Sequence, residues 1–316
     1  MASWLAVLTL GAAAQAEFPV TIEHAYGVTT IERAPVRIVT WGWGNEDALI
    51  ALGVIPVGMP FQSYGGGENG IQPWIEDALE AAQAPMPVIL DSSAEPPLEQ
   101  IAALQPDLIL AVFSGITAEQ YQILSAIAPT IAYTGDAWST PWQDVTRIAG
   151  QAVGRPQEAE QLVTDTLAFI DDTAAARPEL AGTSFVALND YNGALAVYDA
   201  GDARIRFLLD LGLVLAPSVG TLSPNDGAFY FPVSYELADR LESDIIVTYA
   251  EEPAMLDALV AKPFIRQMPQ VEADALAALV GTENVASVSP PTVLSLRWGL
   301  ERYADILAEA ARNARR

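Results

Sequence analysis

Side chains that make and break covalent bonds are scarce in this chain, while side chains that hold large molecules are plentiful. There is no cysteine and a single histidine, His24, so neither a thiolate nor a pair of imidazoles at metal-ligand spacing is available. A serine nucleophile would have to recruit His24 from the first predicted hairpin, and no G-x-S-x-G elbow is present. Gly42-Trp-Gly-Asn-Glu-Asp47 imitates a dinucleotide loop, yet Asp47 stands where the third glycine belongs. The run Tyr64-Gly-Gly-Gly-Glu-Asn-Gly70 has no lysine and no phosphate-loop pattern, and reads as a flexible cleft rim. What remains is aromatic. Seven Trp and ten Tyr suit non-covalent capture of a bulky, partly apolar ligand fixed by a few polar groups. The candidates are Trp41, Trp43, Tyr64, Trp138, Trp142, Tyr191, Phe229, Tyr230 and Tyr249, with Arg204 and Arg297 for an anionic group on the ligand. No residue is a candidate catalytic group or metal ligand.

Most of these aromatics fall where an open α/β sheet meets its ligand. After a hairpin over 18–31, which holds His24 as a surface or satisfied strand residue, strands are predicted at 37–41, 54–57, 87–90, 108–113 and 129–133. Helices at 45–52, 98–104 and 118–127 alternate with them, which predicts a mostly parallel sheet with right-handed crossovers. Trp41 and Trp43 stand at the turn after the first of these strands, and Trp138 and Trp142 follow the last, on the carboxyl-end side where clefts form. A second series has strands at 184–188, 213–215 and 244–249 and helices at 203–211 and 255–260. It places Tyr191, Phe229, Tyr230 and Tyr249 at or beside strand ends, and a terminal helix runs to about 311.

Between the two series lies a helix over 156–177. Pro156 opens it where a missing N–H costs nothing, and Pro178 follows its end. Ala159, Val163, Leu167, Ile170 and Ala174 make one apolar stripe. The helix spans roughly 33 Å and has no internal Gly or Pro at which to kink, so it can join two lobes stiffly. The chain on either side of it carries the same phrase: Glu99 stands five residues before Leu104 and eight before Asp107, and Glu236 stands five before Leu241 and eight before Asp244. Each Asp leads into an apolar, β-rich run.

The 40 acidic and 15 basic residues leave a net charge of −25, which argues against nucleic acid or anionic membranes as partners. Residues 4–13 are apolar and precede Ala14-Gln15-Ala16, the small-x-small pattern of a signal peptide, although no Lys or Arg comes before them. The mature chain is expected to begin at Glu17, with a buried N-terminal helix as the alternative. No other stretch approaches the roughly 18 uninterrupted apolar residues of a membrane span. No cysteine is present to carry a lipid, so the expectation is a free periplasmic protein; the chain is expected to be a monomer.

HAYGVTTIERAPVRIVT (24–40), ALIALGVIPVGM (48–59), PLEQIAALQPDLIL (97–110), LSAIAPTI (124–131), VGRPQEAEQL (153–162), PFIRQMPQVEA (263–273) and PPTVLSLRWGLERYADILAEAA (290–311) follow one another along the chain. In this order they resemble the periplasmic substrate-binding proteins of iron-siderophore and cobalamin ABC importers, over essentially the whole mature chain. The resemblance implies an α/β, two-lobed clamshell, each lobe a mostly parallel sheet with flanking helices, joined by a single long helix. Residues 1–16 would be the signal peptide, 17–153 the N-terminal lobe, 154–178 the bridge and 179–316 the C-terminal lobe. It implies capture of a ferric siderophore or similar metal chelate, without catalysis and without a cofactor, the iron being bound only through its siderophore. It also implies that Glu99 and Glu236, one at the tip of each lobe, pair with arginines of the ABC permease dimer. A haem or cobalamin carrier on the same fold is the alternative reading, and an extracytoplasmic hydrolase a remote one. Hydroxamate binders of this family tend to have an Arg just before the Glu99 helix and a Tyr after the following strand. Here those places read Ser92-Ser93-Ala94 and Ser114-Gly115-Ile116, so the polar anchors lie elsewhere or the ligand differs.

Overall fold

Very short strands, most of them apolar on both faces, build the first lobe. The computed structural model describes residues 17–91, 95–224 and 227–316; the expected signal peptide and the Ser92-Ser93-Ala94 segment lie outside the described residues. A hairpin of β1 (Val20–His24) and β2 (Gly27–Ile31) comes first. There follow β3 (Ile38–Thr40), α1 (Asn45–Ala51), β4 (Gly58–Pro60), α2 (Pro73–Ala81), β5 (Val88–Leu90), α3 (Leu98–Ala103), β6 (Leu108–Leu110), α4 (Ala118–Ile127), β7 (Thr130–Ile131) and α5 (Trp142–Ala152). The five strands β5-β4-β3-β6-β7 pair in that order, all parallel. β3, β4, β6 and β7 are buried throughout, as expected of a parallel sheet covered by helices on both sides. The strand expected at 54–57 sits later, because the ladder to β3 begins only where the Val57 N–H donates to the Ile38 carbonyl at 2.8 Å.

The second lobe adds antiparallel strands. After α6 (Pro156–Ala175) come β8 (Ser184–Tyr191), β9 (Ala194–Tyr198), α7 (Ala203–Asp210), β10 (Val214–Leu215), α8 (Pro217–Leu222), β11 (Tyr230–Val233), β12 (Ile245–Ala250) and α9 (Pro253–Val260). The short α10 (Pro263–Arg266) and α11 (Pro269–Glu272), β13 (Leu276–Val280), α12 (Thr282–Ala286) and α13 (Val293–Ala314) complete the chain. β10, β8, β12 and β13 are parallel, and β9 and β11 extend the sheet antiparallel. Asn192-Gly193, both at positive φ, form the two-residue turn between β8 and β9.

α6 belongs to both cores. Ala159 packs with Val145, Ala149 and Ala152 of the first lobe, so closely that a side chain on Gly150 would lie 2.2 Å from the Ala159 methyl. Val163 and Ile170 pack with Leu300, Tyr303 and Leu307 of the second. The buried stripe runs Ala159, Val163, Thr166, Ile170, Thr173. Thr166 and Thr173 replace the expected Leu167 and Ala174, because alternating steps of four and three keep to one face of a 3.6-residue helix. The Thr166 hydroxyl donates to the Leu162 carbonyl at 2.8 Å, so no polar atom of it is stranded.

The covalent crossing is α6, and the C-terminal segment adds a second, non-covalent one. Ala286, Leu294 and Trp298 pack with Ile50, Met59, Trp74 and Ile75 of the first lobe, with the Trp74 and Trp298 rings 5.8 Å apart. The repeated phrase also has a physical counterpart. Asp107 accepts from the N–H groups of Val36 and Arg37 at the entrance to β3. Asp244 accepts from the N–H and hydroxyl of Ser184 at the entrance to β8. Each lobe thus uses one aspartate, at the head of one central strand, to satisfy donors at the head of the neighbouring one. Replacing either by Ala is expected to cost about 1 kcal/mol, and the double variant the sum, because the sites share no partner. Urea unfolding of both single variants and the double checks this.

Candidate ligand-binding cleft

The carboxyl ends of the first sheet open onto the second lobe across a cavity of about 280 Å³. Three loops form its first wall. After β3 the chain turns through Trp41-Gly42-Trp43-Gly44, and Gly42 is required there: its φ is +106°, and a side chain would meet the Phe113 carbonyl at 2.2 Å. The Trp43 N–H donates to the Phe113 carbonyl at 3.0 Å and its indole to the Pro290 carbonyl at 3.2 Å. After β7, Trp138 adopts a left-handed φ of +60°, a conformation that a bulky residue keeps only where its surroundings impose it. Its N–H donates to the Ser114 carbonyl at 3.1 Å and its ring meets Phe113 edge-on at 5.5 Å. Gly115 leaves room for the indole, whose nitrogen would stand 2.2 Å from any added side chain. Trp142 opens α5, whose first turn has no side-chain cap.

The facing wall comes from α7, Phe229 and the loop before α13. Arg206, Phe207 and Asp210 border the cavity with Pro290, Pro291, Thr292 and Val293. Six aromatic side chains, Trp43, Phe113, Trp138, Trp142, Phe207 and Phe229, therefore enclose a space edged by Ser139, Thr140, Gln143 and Thr146. That arrangement suits a large rigid ligand with an apolar body and outward hydrogen-bonding groups.

Of the eleven ligand candidates, the structure brings Trp43, Trp138, Trp142 and Phe229 to the cavity. Trp41 does not reach it. Its side chain is buried among Val39, Leu90, Ile101 and Ile109, two residues along a tight turn from Trp43. Tyr249 is also a core residue, its hydroxyl 2.9 Å from that of Tyr303 and its pKa raised by burial. Tyr64 is half-buried against the second lobe's core, 6.3 Å from the Trp43 ring, and burial, then the charge of Glu251, push its pKa up to about 12. Most of the glycines after it are packed rather than a free rim: Gly65 packs on Ala286, and Gly66 and Gly70 leave no room for side chains beside Gln62 and Phe61, while Gly67 faces open space. Tyr191 and Tyr230 meet edge-on at 6.3 Å on the exposed end of the β8, β9 and β11 strands, outside the cavity lining. Arg204 is gripped at two points by Asp202 (2.8 and 2.6 Å) and lies 4.0 Å above the Tyr198 ring. Arg297 is a turn into α13, over Phe169 of α6, and does not reach the cavity either. Phe113, Phe207, Arg206 and Asp210 were missed. The last two stand one helical turn apart, whereas Arg204 follows a helix-capping Asp that claims it, a signal readable in Asp202-Ala-Arg204.

Beneath the Trp43 turn lie three buried polar residues, Asn45, Glu46 and Asp47. Asn45 donates to the Trp41 carbonyl and accepts from the Val112 N–H, both at 2.9 Å, clasping the ends of β3 and β6. Glu46 accepts from Gln62 at 3.1 Å. One oxygen of Asp47 accepts from the Trp74 indole at 2.8 Å and from the Thr292 hydroxyl of the opposite lobe. The second oxygen of each carboxyl has no partner. Burial raises both pKa values, and the charge of Asp47 raises Glu46 further. The sequence that imitates a dinucleotide loop is therefore a clasp under the cleft.

Two α/β lobes that close on an aromatic cavity, one chain crossing between them, define a solute-binding protein. The chain belongs to the periplasmic binding protein family, whose model matches residues 38–280. It is 27% identical over 291 residues to the ferric enterobactin-binding periplasmic protein FepB of Escherichia coli, covering 87% of this chain and 88% of that protein. It is 26% identical over 265 residues to the ferric-anguibactin-binding protein FatB of Vibrio anguillarum, covering 79% and 76%. Among solved structures, PiaA of Streptococcus pneumoniae in complex with ferrichrome superposes with a TM-score of 0.82 at 32% identity, over 93% of this chain and 99% of that one.

The clasp predicts a pH dependence. Folding raises the pKa of Glu46 and Asp47, so above the ordinary carboxylate range the native state holds more protons than the unfolded chain. Their contribution is most favourable on the acid side and is lost as pH rises through the raised values. Glu46→Gln removes one titrating partner, and its urea midpoint is expected to fall less than that of the parent protein between about pH 5 and about pH 8. Parallel denaturation curves across that range are the check.

Proposed function

We propose that this protein captures a ferric siderophore outside the cytoplasm and delivers it to the permease of an ABC importer, without catalysis. The observation that carries the reading is the aromatic cavity between two lobes of a fold whose relatives, ferric enterobactin-binding and ferric-anguibactin-binding proteins, are named for such ligands. Among the described residues no group of three or more His, Cys, Asp or Glu is placed to hold a metal ion. Iron would arrive wrapped in its chelator, and the protein would supply shape, stacking and hydrogen bonds. The mature chain would begin at Glu17 and stay free of a lipid anchor, with lobes at 17–153 and 179–316 and the bridge at 154–178. Among the described residues no helix is long and apolar enough to cross a membrane.

The delivery surface would be marked by Glu99 and Glu236. Both are exposed, in the first turns of α3 and of a short 3-10 helix (Tyr235–Arg240). Each stands eight residues before the aspartate that braces its lobe, so they occupy equivalent places, and carboxylate–guanidinium pairs there would fix the orientation of both lobes on the permease.

Two measurements test the reading. Trp138→Ala is expected to weaken ferric-siderophore affinity by about tenfold or more, through loss of aromatic contact area, in fluorescence titrations of the purified protein. Glu99→Ala combined with Glu236→Ala is expected to abolish uptake of radiolabelled ferric siderophore by cells while leaving that affinity unchanged. Normal uptake by the double variant would remove the docking role.

A further inference from the structure

The shape of the cavity calls for a bulky ligand; its charge says which kind. Among the described residues the lining carries two ionisable side chains of opposite sign, Arg206 and Asp210, one helical turn apart on α7, and their charges cancel. The two arginines expected to serve an anion are engaged elsewhere, Arg204 by Asp202 and Tyr198, and Arg297 over Phe169. Ser139, Thr140 and Gln143 contribute hydrogen bonds without charge. Around them is a chain of net charge −25. The neighbourhood of Asp210 is acidic in turn: burial, and then the charge of Asp171 on α6, raise its pKa.

We propose that the cavity selects ferric chelates of zero or positive net charge, as ferric trihydroxamates are, and excludes polyanionic ones. The proposal rests on the ferric-siderophore reading above. Three singly charged hydroxamates cancel the charge of ferric iron, whereas three doubly charged catecholates leave a trianion. Moving a trianion out of water into a wall with no surplus of cations costs solvation that no partner returns, and the field of the chain opposes its approach. A neutral complex loses little solvation. It gains contact with the aromatic walls, and its outward carbonyl groups meet hydroxyl and amide donors. The polar anchors are then the hydroxyl and amide groups at the cavity edge, in place of the Arg and Tyr that hydroxamate binders of this family tend to carry.

The test is a fluorescence titration of the chain from Glu17, in which Trp43, Trp138 and Trp142 report on the cavity. The probes are ferrichrome, which is neutral, ferrioxamine B, which is cationic, and ferric enterobactin and ferric dicitrate, which are anionic. Saturable quenching by the first two is expected, with affinities about a hundredfold or more above those for the anions, and with little effect of added salt on ferrichrome. Asp210→Lys should raise the affinity for ferric enterobactin relative to ferrichrome by about tenfold. Tight binding of either anionic complex by the unaltered protein, weakening as salt is added, would overturn the charge rule and leave siderophore capture standing. Quenching by none of the four would overturn both.

Discussion

A carboxylate taken fully out of water keeps the two lobes in register. Asp47 shares one oxygen between the Trp74 indole of its own lobe and the Thr292 hydroxyl of the other. Thr292 is also the cap of α13, its hydroxyl accepting from the Ser295 N–H at 3.0 Å. One side chain thus sets where a 22-residue helix begins and where that helix meets the first lobe. Gly44 lies against the same threonine, with a φ of +68° and 2.7 Å between the Thr292 methyl and any added side chain. Burying such a group is unfavourable unless it is well bonded; here the bonds it does make also position Trp43 and Pro290, which wall the cavity.

The cleft is accordingly built before any ligand enters it. Trp138 is held in a left-handed turn by Ser114 and by the space that Gly115 leaves, and the Trp43 indole is tied across the lobes. Aromatic walls fixed in this way have little side-chain freedom left to lose on binding, so more of the contact energy appears as affinity. The outer part of the site differs in kind. Trp138 and Phe229 remain about half exposed and can make close contact only with something large enough to bridge them.

Much of this was readable from residue order, for identifiable reasons. Alternation of helix and buried strand, the proline-led α6 and the matched Glu and Asp pairs are local patterns, and the structure keeps them, with the strand expected at 54–57 displaced to Gly58–Pro60. α5 is hidden in the sequence because Trp142, which follows a strand end as a ligand residue would, is also the first residue of a helix whose inner face is Val145, Ala149 and Ala152. β9, β11 and β13 were missed as strands. Their neighbours in the sheet are distant in sequence or joined by the tight turn Asn192-Gly193. Strand-end position and the cavity lining coincide at Trp43, Trp138, Trp142 and Phe229. Position alone could not separate Trp43 from Trp41 or exclude Tyr249, because strands buried on both faces lack the alternation that tells inside from outside. Arg204 was misplaced for want of its partner, since a charge is available to a ligand only when no neighbour has already claimed it.

The shared helix α6 has a consequence for folding. Its first turns complete one hydrophobic core and its later turns another, and neither half of the molecule can bury its apolar face without the other half's share of the same rod. Melting of one lobe strips a wall from its neighbour. A chain cut at either end of that helix would leave one lobe without its share of the rod and the other carrying a bare apolar face, so the two lobes are expected to unfold together.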